Sequence, residues 1–85
     1  MRTQVVARIK HWWQFHGGLR TSRYAIVRYY LARVAFDQDP VTRKGRRFVD
    51  QLNEEQVTDD VLLNLPEDQL IWVYEYTIIK ANTQM

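Results

Sequence analysis

Ile71-Trp72-Val73-Tyr74-Glu75-Tyr76-Thr77-Ile78-Ile79 is the stretch on which the fold turns. Its β-branched and aromatic residues suit a strand, which would set Trp72, Tyr74, Tyr76 and Ile78 on one face. The same residues suit a helix, on which Leu70, Ile71, Tyr74 and Ile78 form a stripe. A strand needs a partner, and nothing else in the chain is a convincing one. The expectation is therefore a helix, and with it an all-α bundle of four to five short helices. The alternative is an α+β fold in which a strand at 71–79 pairs with its copy across a dimer axis.

Upstream of this stretch, Pro66-Glu67-Asp68 is a helix start, Pro at the first turn followed by acids that suit the helix dipole, and it predicts a last helix from Pro66 to about Ala81. Thr58 caps a short helix over 59–65, again with two carboxylates in its first turn. Val41 to Leu52 reads as a helix on Val41, Phe48, Val49 and Leu52. Gly45 in its middle costs about 1 kcal/mol relative to Ala, which argues for a start only at Arg46. Asp37-Gln38-Asp39-Pro40 breaks the pattern before it, with Asp39 as a natural cap. Thr21 or Ser22 caps a helix from about Arg23 to Phe36, whose apolar face is Ile26, Val27, Tyr30, Leu31 and Val34. Thr3 to His16 repeats the 3-and-4 spacing on Val5, Ile9, Trp12 and His16, widened by Val6 and Trp13. Gly17-Gly18 ends that helix with residues free to take positive φ. Trp12, Tyr30, Phe48 and Trp72 are the aromatics expected in the core. The whole reads as one domain over 1–85, a basic helical hairpin at 3–36 joined to an acidic half at 48–85.

Eighty-five residues, 46% of them hydrophobic and 26% charged, are enough for one small core and argue against wholesale disorder. With no cysteine, disulfides, thiolate metal sites and cysteine catalysis are excluded. The longest apolar run, Leu70 to Tyr74, stops at Glu75, far short of the roughly 20 residues of a membrane span. Residues 1–36 hold seven Arg or Lys and no acid, a bias shared with transit peptides, yet they carry too much of the apolar material to be a removable leader. A cytoplasmic protein is the expectation.

The formal charge of +2 conceals a polarity. Residues 1–47 hold eleven Arg or Lys against two acids, +9, and residues 48–85 hold one Lys against eight acids, −7. Internal pairing between the halves accounts for such a split if the charges meet as ordinary solvated pairs. Pairing with another copy or another protein is a second account. The third is a phosphate-binding face, densest at Thr42-Arg43-Lys44-Gly45-Arg46-Arg47, because phosphate contacts need charge and reach but no fixed geometry.

Tests for chemistry return nothing. His11 and His16 are five residues apart, about 140° around a helix, so they cannot share a metal on one face. Ser22, the sole serine, sits where a cap is wanted. The acidic pairs Glu54-Glu55, Asp59-Asp60 and Glu67-Asp68 lack the alternating ligands of a calcium loop. No phosphate loop or dinucleotide fingerprint is present, and the spacing around Gly17 does not fit a helix-turn-helix. An enzyme is not expected and no cofactor is implied.

Binding is what the composition suits. Phe15, Tyr29 and Phe36 fall off the main apolar stripes, and beside Arg8, Arg28 or Arg33 they would supply the aromatic–Arg mix of binding hot spots. The stretch Val57-Thr-Asp-Asp-Val-Leu-Leu-Asn-Leu-Pro-Glu-Asp-Gln-Leu70 resembles the central part of SAM domains, over 14 residues. Where those domains continue with Gly-Ile and then Gly-His-Arg, this chain has Ile71 to Tyr76. The resemblance implies a small helical bundle that associates through acidic and basic surfaces. The expected function is that of a small regulatory or adaptor protein binding a protein partner, and itself as a homo-oligomer, through an Arg- and aromatic-rich surface. The alternative is a nucleic-acid-binding transcriptional regulator that contacts phosphates through Arg43, Lys44, Arg46 and Arg47.

Overall fold

The computed structural model describes residues 1–80, and the stretch 71–79 is helical in it. Five α-helices follow one another: α1 (Arg2–Phe15), α2 (Ala25–Phe36), α3 (Arg43–Gln51), α4 (Asp59–Leu63) and α5 (Glu67–Glu75). A single 3-10 turn, Ser22–Tyr24, leads into α2, and a π-helical turn, Tyr76–Lys80, continues α5. No strand occurs among the described residues, so the α+β alternative is overturned. Trp72 and Tyr76, which a strand would also place on one face, meet instead as an i, i+4 helical pair with rings stacked 4.9 Å apart. The expected end at Ala81 lies outside the described residues.

The end of α1 and the starts of α4 and α5 fall where capping chemistry puts them. After α1, Gly17 and Gly18 take φ of 93° and 109°. Their N–H groups return to the Gln14 and Trp13 carbonyls at 3.1 and 2.7 Å, a Schellman closure. Thr58 Oγ1 accepts from Val61 N at the start of α4, and Glu67 and Asp68 occupy the first turn of α5 after Pro66. Thr21 and Ser22 do not cap α2 through their side chains, since the 3-10 turn intervenes and Thr21 Oγ1 donates back to the Gly18 carbonyl.

Two helix faces and the placing of the core aromatics differ from expectation. On α1 it is Val6, Ile9 and Trp13 that are buried, while Trp12 and His16 are half-buried. Trp13 is drawn inside because its Nε1 donates to Thr77 Oγ1 at 3.1 Å, two groups with no access to water. On α2 the buried residues are Val27, Arg28, Leu31 and Ala32, and Ile26 is exposed. Tyr30, Phe48 and Trp72 lie at the edge of the core rather than in it, Tyr30 stacking on Trp72 at 3.9 Å and Phe48 against Phe36 at 5.2 Å. Aromatic rings this large pack well at a boundary where one face can remain solvated.

The two halves share one core. Val6, Ile9, Trp13 and Tyr24 of the basic half pack with Leu62, Leu65, Leu70 and Val73 of the acidic half. Polar links reinforce the join: Glu54 Oε1 accepts from Leu19 N at 2.9 Å, Lys10 pairs with Asp59 at 2.7 Å, and Arg2 donates to the Leu63 carbonyl at 3.0 Å and also to that of Leu65. The radius of gyration is 11.9 Å, close to the roughly 12 Å of a compact chain of this length.

Candidate functional site

The densest basic segment is carried by α3, and a tightly bonded elbow sets its direction. Asp39 organises the elbow. Its Oδ1 accepts from Val41 N at 2.9 Å and from the Arg33 guanidinium at 3.0 Å, and its carbonyl accepts from Thr42 N and Oγ1 at 3.2 and 2.9 Å. Thr42 Oγ1 accepts in turn from Gly45 N at 2.9 Å and caps the helix.

Gly45 does not delay the helix to Arg46 as its propensity suggests, for α3 begins at Arg43. A Cβ on Gly45 would stand 1.7 Å from the Asp39 carbonyl oxygen. The residue is glycine because the chain crosses over it, a close approach that outweighs the loss in helix propensity.

With Gly45 and Val49 turned inward, Arg43, Lys44, Arg46 and Arg47 cover the opposite side of α3, and all four are exposed. No ion pair or hydrogen bond involves their side chains among the described residues. Asp50, one turn beyond Arg46 and Arg47, is the acid on that face. The first turn of α3 contains no acid and three of the four cations. Positive charge at a helix N-terminus opposes the dipole by about 0.3–1 kcal/mol per group, and an anion seated there relieves both.

The other expected residues do not converge on one surface. Arg28 is the clearest correction: it is 7% exposed, donating from Nε to the Val49 carbonyl at 3.1 Å and from Nη1 to the Leu19 and Thr21 carbonyls at 2.7 Å. It ties α2 to the loop before it and to α3, and is out of reach of a partner. Burial pulls its pKa below the usual arginine value, Asp50 opposing and Arg20 adding to the shift. Arg33 is exposed but spent on Asp39, and Phe36 is packed on Phe48, so both support the elbow from α2. Tyr29 is half-buried on α2.

Arg8 lies elsewhere, between α1 and α5, with Nη1 on the Tyr74 hydroxyl at 3.1 Å. Phe15, 69% exposed, closes an aromatic group at the end of α1 with His11, Trp12 and His16. Thus the single Arg–aromatic surface divides into the α3 face, the α1–α5 groove and the end of α1.

Sequence reasoning passed over the groove. Ile71 and Ile79 are 47% and 51% exposed along it, with Val5 and Leu70 beneath. The signal was present: α5 and its π turn carry apolar residues on more sides than one core contact uses. Arg2 was also missed, since its target carbonyls are 61 and 63 residues away.

No group of three or more His, Asp or Glu among the described residues could hold a metal ion, and no helix among them is long and apolar enough to cross a membrane. No family model, no curated protein and no solved structure matches the chain, so the likeness of 57–70 to SAM domains carries nothing further.

Proposed function

We propose that this is a non-enzymatic binding protein whose α3 face engages the phosphates of a nucleic acid. The observation that carries the reading is the exposed, unpaired quartet Arg43, Lys44, Arg46 and Arg47 on a helix anchored by the Asp39–Thr42 elbow. Had the charge polarity served internal compensation alone, these cations would be paired with the acidic half. Instead an ion pair between the halves joins Lys10 of α1 to Asp59 of α4, away from α3. Arginines reaching outward from a fixed helix suit phosphate oxygens, whose contacts position a protein without reading sequence.

Fluorescence anisotropy with a labelled duplex and a labelled single strand, across about 50 to 200 mM salt, tests the reading. Four phosphate contacts predict a slope of log K against log salt of about −3 to −4 on a duplex. Replacing the four residues by Ala should flatten that slope and weaken low-salt binding at least about tenfold, with the thermal melt not lowered because all four are exposed and three of them oppose the helix dipole. Absence of binding at about 50 mM salt, or a slope unchanged in the variant, overturns it. Anionic vesicles in a parallel titration check that the anion is nucleic acid; tighter binding to vesicles than to either strand also overturns it.

A protein partner is the second reading, favoured by the exposed Ile71 and Ile79 of the α1–α5 groove. That groove is built by helices other than α3, so the two readings do not compete for one surface.

A further inference from the structure

We infer that the α1–α5 groove is the interface of a twofold homodimer, with a second copy of this chain as its occupant; the inference deepens the protein-partner reading and is independent of nucleic-acid binding. The floor of the groove is apolar, from Val5 and Leu70, and Ile71 and Ile79 stand exposed along it. Its two edges differ in sign. The α1 edge presents Arg8, and the α5 edge presents Glu67 and Glu75, all three exposed.

The helices run side by side in the same direction. Arg2 reaches the carbonyls of Leu63 and Leu65 just ahead of α5, Arg8 reaches Tyr74, and Trp13 reaches Thr77. Arg8 is thus level with the Tyr74–Glu75 end of the opposite edge, not with the Glu67 end.

A surface with one basic and one acidic edge on either side of an apolar floor is its own complement. A twofold axis along the groove lays α1 of each copy over α5 of the other. Arg8 then faces the partner's acidic edge, nearest the Glu75 end, twice over, while Ile71 and Ile79, on the same i, i+4 row as Glu67 and Glu75, pack against the partner's α1. An axis across the groove would set α1 on α1, basic edge on basic edge, and is disfavoured for that reason. A partner of uniform charge would meet one edge with its own sign.

Sedimentation equilibrium of the full chain, without nucleic acid, tests the inference from low to high micromolar concentration. The expected result is a monomer–dimer equilibrium that Ile71→Asp weakens at least about tenfold. Ile79→Lys serves as the second variant if circular dichroism shows the first to be unfolded. Arg8→Glu and Glu75→Arg should each weaken the dimer severalfold, and the two together should restore it. A monomer throughout, a dimer indifferent to the isoleucine variants, or a double charge swap no better than either single one overturns the inference. Because nucleic acid is absent, failure here leaves the α3 reading standing, and failure of α3 to bind nucleic acid leaves the dimer standing.

Discussion

Gly45 and Arg28 show how far a side chain's setting overrides its average behaviour. Helix propensity alone makes Gly45→Ala stabilising, by about 0.8–1 kcal/mol. With the Asp39 carbonyl against the position where the new methyl would sit, the sign reverses. The expected outcome is a loss of about 2 kcal/mol or more, because the elbow that starts α3 must move to admit the Cβ. Chemical denaturation of the variant checks this, and an unchanged or raised midpoint would contradict the close approach. Arg28 makes a related point about charge. Its guanidinium is buried and serves three carbonyls in two directions, a geometry that the fork of an arginine matches and the single ammonium of a lysine does not.

Between helices, the contact of α1 with the end of α5 depends on one hydrogen bond inside an apolar layer. Trp13 and Thr77 are both without access to water, and the indole N–H has Thr77 Oγ1 as its partner. Thr77 also lies in the π turn, whose wider winding places it toward α1 while Ile79 remains outside. Thr77→Val keeps the volume and removes the acceptor. An indole N–H stranded in the core costs about 1–3 kcal/mol, so the variant should unfold at lower denaturant with its helical content otherwise retained. A loss within experimental error would mean that the indole finds another acceptor. α3 behaves differently. Its inward contacts include Gly45, Val49, the Phe36–Phe48 pair and the Arg28 bond to the Val49 carbonyl, and its outer face contributes charge without burial, so substitutions of its cations should weaken binding without lowering the melt.

For the molecule as a whole, stability should be lost toward alkaline pH. Burial raises the pKa of the Tyr24 hydroxyl above its ordinary value, with Arg23 opposing. Burial and then Asp68 raise that of Tyr30. In both cases the folded chain holds its proton more tightly than the unfolded chain. The stabilisation is complete below the unfolded value of about pH 10 and disappears as pH climbs through the higher folded values. Denaturation profiles from neutral to strongly alkaline pH should show that decline, and Tyr24→Phe with Tyr30→Phe should make it shallower, after the neutral-pH loss of the Tyr24 hydroxyl bond to the Trp12 carbonyl. An equally steep decline in the double variant would place its origin in other groups.

The end of α1, the starts of α4 and α5, and the division of charge were legible without coordinates. Gly17-Gly18, Thr58 and Pro66 act within about one turn of chain, so a few neighbouring residues suffice to place a helix end. The imbalance of +9 against −7 is a property of residue order alone. Which side of each helix turns inward was not legible in that way. Spacing sets the angles between positions on one helix, but not its rotation against its neighbours when apolar residues occupy more than one side. Trp13 is inside and Trp12 at the boundary because Thr77 offers an acceptor 64 positions away. Arg28 is inside because three carbonyls converge on it, and Ile71 is outside because the core is filled by Leu70 and Val73. These choices came from contacts between segments far apart in the chain, and they separate the side chains that hold the fold from those left to meet a partner.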